Sequence, residues 1–120
     1  MLKNIMLVFI GGGAGAVLRM LTYAILPPHD FPLGTWLVNI SGSLLMGIIL
    51  GLAVKENMPG ENMKLLLATG FCGGFTTFSA FSAENIGLLQ QGKIALSLAY
   101  ILSSVIFALL ATWAGFKIIN

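Results

Sequence analysis

Apolar residues in this chain come in long, nearly unbroken blocks separated by short polar stretches. Neither the alternation of a half-buried strand nor the narrow stripe of a surface helix is sustained. The blocks lie at about residues 4–26, 33–54, 62–90 and 94–118, each long enough for a bilayer core that needs roughly 20 helical residues. Pro27-Pro28-His29-Asp30-Phe31-Pro32 ends the first, because proline cannot continue the hydrogen-bond ladder. Lys55 to Glu61, with Pro59-Gly60 inside it, is a polar turn, and Gln90-Gln91-Gly92-Lys93 is the next. The pattern predicts an all-α integral membrane protein, residues 1–120 forming a single membrane domain of four spans with both termini on one side. The first block opens with Lys3 and an apolar run, as a signal peptide would. It shows no cleavage site and continues past Arg19, so it reads as a retained membrane helix.

The third block has a weak centre. Gly73 and Gly74 are adjacent, and each costs about 1 kcal/mol against alanine inside a helix. Thr76 and Thr77 follow, β-branched and able to bond nearby backbone. A break in this helix is expected near Gly73–Thr77. In lipid, broken backbone survives only where protein or a watery cavity takes up the freed N–H and C=O groups. Discontinuous membrane helices are also where small ions are commonly held.

Composition narrows the function. The chain is 58% hydrophobic and 8% charged, with mean hydropathy +0.97, against about 25% charged residues in soluble domains. A net charge of +2 without a basic cluster excludes a nucleic-acid footprint. One cysteine, Cys72, excludes an internal disulfide, and one histidine, His29, excludes a multi-histidine metal site within one chain. There is no HExxH, no carboxylate pair and no Ser-His-Asp ordering, so no enzyme is expected. Lys3, Lys55, Lys64 and Lys117 fall on the side of the termini, and Lys93, with Arg19 near it, on the other. So weak a bias is compatible with insertion in one orientation or in both. Four short helices enclose little space, which points to a second copy for any pore.

Several intramembrane residues are candidates for chemistry. Gly11-Gly12-Gly13-Ala14-Gly15-Ala16 fits G-x-G-x-x-A, but no βαβ pattern follows. Gly11 and Gly15 read better as a small-xxx-small packing face. Arg19 falls about 22 Å along the first helix, either an interfacial anchor or a positive field at the mouth of an anion path. Thr35, Asn39, Ser43, Gly47 and Gly51 recur at spacing four on the second helix, so they share a face. The carboxamide of Asn39 is costly unless paired, and serves either to join helices or to line a path. Phe78 and Phe81 share a face of the third helix, with Glu84 and Asn85 beyond, and Ser97, Tyr100 and Ser104 share one on the fourth. Together these are neutral donors and aromatic edges. Ring edges are positive and stabilise an anion. A full cation would hold it too tightly for easy release.

Gly73-Gly74-Phe75-Thr76-Thr77-Phe78-Ser79-Ala80-Phe81 resembles the helix 3 signature of the Fluc (CrcB) fluoride channels. Gly11-Gly12-Gly13-Ala14-Gly15-Ala16-Val17-Leu18-Arg19 is similar to the family's helix 1, and Gly34-Thr35-Trp36-Leu37-Val38-Asn39-Ile40-Ser41-Gly42-Ser43 to its helix 2. The likeness extends over essentially the whole chain. It implies an antiparallel, dual-topology homodimer with two pores in the bacterial inner (plasma) membrane, passively exporting fluoride. By this resemblance Phe78 and Phe81 present ring edges to fluoride, and Asn39 hydrogen-bonds it. Tyr100 and Ser104 line a polar track, Thr35 is a further pore residue, and Arg19 sits in a vestibule. Backbone carbonyls of Gly73 and Thr76 from both subunits hold a structural Na+. One departure is Ala108, where the track would carry another hydroxyl. The rivals are a small proton-coupled multidrug transporter, which needs an acid in the first helix where this chain has only Arg19, and a non-conducting accessory subunit.

Overall fold

The computed structural model describes residues 1–57 and 60–120. Met58 and Pro59 lie outside the described residues, so the Pro59 part of the expected turn has no structural account. Among the described residues there is no strand. The elements are α1 (Leu2–Ile25), α2 (Leu33–Val54), α3 (Gly60–Met63), a π-helical segment (Lys64–Cys72), α4 (Gly73–Phe75), α5 (Phe78–Gln90) and α6 (Ile94–Ile119). Four spans, Leu2–Ile25, Leu33–Val54, Gly60–Gln90 and Ile94–Ile119, are long and apolar enough to cross a membrane.

The turns follow from local chemistry. Leu26 is extended ahead of Pro27, which ends α1. Pro32 immediately precedes α2, where its missing N–H costs nothing. At the end of α5, Gly92 takes φ +75. Gly92 N–H then reaches the Leu89 carbonyl at 3.0 Å, and Lys93 N–H reaches that of Leu88 at 2.9 Å. This pair of bonds caps the helix with a residue that pays no Cβ penalty in the left-handed region. Lys93 Nζ also meets Asp30 Oδ1 at 3.4 Å, tying this turn to the first loop.

Two helix pairs dominate the packing, α2 with α6 and α1 with the π segment. Both are built on small residues. Gly11 and Gly15 are the buried residues of α1. A Cβ on Gly15 would run into the Phe71 carbonyl oxygen and stand 2.7 Å from the Phe75 nitrogen. A Cβ on Gly11 would meet the Leu66 carbonyl and the Phe71 nitrogen. These are backbone atoms, which cannot swing aside. The G-x-G-x-x-A run is therefore a packing seam, as the small-xxx-small pattern suggests. Gly47 stands against the Thr112 carbonyl and Gly115 against that of Leu44, so the lower half of the α2 stripe is a packing groove for α6. Gly15→Ala is expected to lower the stability of the detergent-solubilised protein by about 2 kcal/mol, read as a lower melting temperature. Gly13→Ala, with nothing within 4 Å of its Cβ, is expected to hold or raise the melting temperature, since alanine is the better helix former by about 1 kcal/mol.

Within the third span, Gly73 and Gly74 are helical, as part of α4. The extended residues are Thr76 (φ -84, ψ 156) and Thr77 (φ -151, ψ 119). Gly74 serves approach instead: a Cβ on it would collide with the carbonyl of Gly12, whereas one on Gly73 would meet nothing within 4 Å. The segment just before them is π-helical, a form found mostly in short pieces and often at functional sites.

Candidate functional site

The extended pair Thr76–Thr77 is the centre of a polar network drawn from three spans. Asn39 on α2 clamps Thr77 at two points. Thr77 N–H donates to Asn39 Oδ1 at 2.7 Å, and Asn39 Nδ2 donates to the Thr77 carbonyl at 3.1 Å. Thr77 Oγ1 accepts from Ala80 N–H at 3.1 Å, a side-chain N-cap for α5. Thr76 Oγ1 turns back to the Cys72 carbonyl at 2.8 Å. From α1, Arg19 Nε donates to the Gly74 carbonyl at 3.1 Å. These bonds satisfy groups that an interrupted helix leaves open.

The same bonds release others. In an unbroken helix Thr77 N–H would reach the Gly73 carbonyl, and Ala80 N–H that of Thr76. Here the first goes to Asn39 and the second to Thr77 Oγ1. Gly73 and Thr76 both border an open cleft of about 500 Å³.

That cleft also brings together Asn39, Phe78, Phe81 and Ser104. The Phe78 and Phe81 rings lie 5.5 Å apart, tilted by 43°. Phe78 is 78% exposed on this single chain. Ser104 Oγ is buried and, among the described residues, has no hydrogen-bond partner. Ala108 lines the cleft beyond it, and Thr112 one turn further on, where its hydroxyl donates to the carbonyls of Ser43 at 3.1 Å and Ala108 at 3.0 Å.

Thr35 and Tyr100 lie off this cleft, in a second network around Glu84. Tyr100 is fully buried and its hydroxyl donates to Glu84 Oε1 at 2.8 Å. Thr35 Oγ1 donates to Glu84 Oε2 at 2.8 Å and contacts the Tyr23 hydroxyl at 2.7 Å. Phe81 joins the two networks, its ring 5.0 Å from that of Tyr100. Tyr100 also meets Phe31 edge-on at 5.3 Å. Ser97 is buried and donates to Asn85 Oδ1 at 2.8 Å, which fixes α6 to α5. The hydroxyl face Ser97–Tyr100–Ser104 thus divides: two members are spent on α5, and one opens on the cleft without a partner.

The sequence pattern places Glu84 beyond Phe81 without giving it a role, and does not single out Tyr23. Glu84 carries a usable signal, an acid at i+3 from Phe81 and i+6 from Phe78 within an apolar span. Tyr23 carries none, because its role depends on a contact between two helices.

Asn39, the rings of Phe78 and Phe81 and Ser104 line one largely apolar cleft. Comparison with known proteins places the chain in a family. The model of a family described as "CrcB-like protein, Camphor Resistance (CrcB)" matches residues 6–116. A protein of Flavobacterium psychrophilum named "Fluoride-specific ion channel FluC" is 45% identical over 117 residues, covering 95% of this chain and 94% of its own length. Proteins of the same name from Azobacteroides pseudotrichonymphae and Campylobacter lari are 45% and 46% identical, covering 97% and 98% of this chain.

Proposed function

The chain belongs to the CrcB-like family, and on that premise we propose that it is a fluoride-selective passive channel rather than an enzyme. The observation that carries this reading is the unpartnered Ser104 hydroxyl, buried in the wall of a cleft that also holds Asn39, Phe78 and Phe81. A buried donor left without a partner costs about 1–3 kcal/mol. An anion passing between the phenylalanine edges and this hydroxyl would meet that need while it is there. The relatives' name supplies the identity of the anion.

The working unit we propose is an antiparallel, dual-topology homodimer with two pores. One copy leaves Phe78 bare and the cleft open on one side, and a second copy would close it. The weak charge bias permits both orientations. A structural Na+ at the dimer axis fits the donor set. The carbonyls of Gly73 and Thr76 are turned loose by the bonds of the break, and hard cations take oxygen ligands. Two carbonyls from each of two copies would supply four donors. The ion would neutralise local carbonyl dipoles and lock the two breaks together.

In a bacterial inner membrane, a negative interior drives an anion outward by about 2.3 kcal/mol per 100 mV. Export of fluoride then requires neither ATP nor a proton. The direct test is efflux from liposomes holding the purified protein, followed with a fluoride electrode. Fluoride is expected to leave at a rate set by an imposed K+ diffusion potential, while chloride stays behind. Proton-coupled drug exchange, or no flux of any kind, would replace this reading with a transporter or an accessory subunit.

A further inference from the structure

The hydroxyl network around Glu84 has a fixed direction, and the residue that fixes it comes from α1. The hydroxyls of Tyr100 and Thr35 both donate to Glu84, at 2.8 Å each. Thr35 has a single hydroxyl hydrogen, and Glu84 takes it. The 2.7 Å contact between Thr35 Oγ1 and Tyr23 is therefore a bond in which Tyr23 donates. The order runs from Tyr23 to Thr35 to Glu84, with Tyr100 closing from the other side.

Tyr23 is itself held in place by a glycine. A Cβ built on Gly34 would stand 2.5 Å from Tyr23 Cδ1 and 2.8 Å from Cε1. The ring thus lies flush on the backbone at the start of α2, and any side chain at position 34 would lift it. Tyr23, Gly34, Thr35 and Glu84 share a cleft of about 340 Å³ beneath the loop that joins α1 to α2. Thr35 is 1% exposed, so in the folded chain its oxygen is met by the Tyr23 hydroxyl rather than by solvent.

We propose that Tyr23 is a positioning residue for conduction: its hydroxyl orients Thr35 so that Glu84 is held between Thr35 and Tyr100. This rests on the fluoride-channel reading. Without the Tyr23 hydroxyl, the Thr35 oxygen loses its donor. Its own hydrogen is then free to turn away from Glu84. Glu84 keeps one hydroxyl instead of two, and its carboxyl group is no longer pinned. Because Phe81 packs on Tyr100, a shift at Glu84 is transmitted to the ring that faces the larger cleft.

Tyr23→Phe in the full-length protein tests this directly, because the ring stays on Gly34 and only the hydroxyl is lost. Fluoride efflux from liposomes is expected to fall about fivefold, with melting temperature and chloride exclusion unchanged. Combining Tyr23→Phe with Thr35→Val is expected to lower flux no further than Thr35→Val does alone. Gly34→Ala, which keeps the hydroxyl but displaces the ring, is expected to give a comparable loss. A second readout needs no flux. The infrared carboxylate band that disappears in Glu84→Gln is expected to shift in Tyr23→Phe. Wild-type flux in Tyr23→Phe, multiplying effects in the double variant, or an unmoved carboxylate band would each overturn the positioning role. Absence of flux in the wild-type protein would instead overturn the channel reading, and the band would still report whether Tyr23 positions Glu84.

Discussion

Asn39→Asp is expected to abolish fluoride flux, by at least about 100-fold. Two effects act together. A unit negative charge about 4 Å from an anion costs on the order of 4 kcal/mol at an effective dielectric of 20, more than two decades of rate. The substitution also removes the Nδ2 donor from the Thr77 carbonyl and sets a carboxylate oxygen against it. The Thr77 N–H bond to Oδ1 survives in principle, so the break keeps half of its clamp. Initial rates from a fluoride electrode, with the membrane potential clamped by K+ and valinomycin, measure the loss. A variant running above one-tenth of the wild-type rate would take Asn39 out of the path. Asn39→Ala separates the two effects, since it removes the clamp without adding charge.

Ser104→Ala is expected to move stability and flux in different directions. The hydroxyl is buried and unpartnered in the isolated chain. Replacing it with a methyl removes a desolvated polar group and leaves little space behind, so the melting temperature is expected to hold or rise. If the hydroxyl serves a passing anion, its loss removes a hydrogen bond to a charged partner, worth about 1.5–3 kcal/mol. That corresponds to a fall in fluoride flux of about 10–100-fold. Thermal melting in detergent and efflux in liposomes, run on one preparation, decide between the two roles. A protein that is both less stable and fully conducting would make Ser104 a packing residue only.

The membrane spans were legible because they depend on block hydrophobicity, which a sequence displays directly. The packing roles of Gly11 and Gly15 were legible for the same reason: small residues at spacing four have few other uses in lipid. The third span was harder. Adjacent glycines suggested backbone ready to break, yet Gly73 and Gly74 are helical, and Gly74 presses against α1. The extended conformation falls on Thr76 and Thr77, because Asn39 offers both a donor and an acceptor at that height. A partner thirty-eight residues away in the chain has no local signature. Tyr100 illustrates the same limit. Its place on a hydroxyl-bearing face was visible, but its commitment to Glu84 rather than to the open cleft depends on how α5 meets α6.

The protomer consists of two tightly seamed halves, α1 with the first part of the third span and α2 with α6, touching each other far less. They are pinned together at two heights, by Asn39 on Thr77 and by the Tyr23 hydroxyl on Thr35. Two pins resist a rocking of one half against the other. When lipid tails grow longer or shorter than the spans, tilting is the inexpensive accommodation. The halves would then tilt as one body, so a change of acyl-chain length is expected to reorient the cleft rather than reshape it.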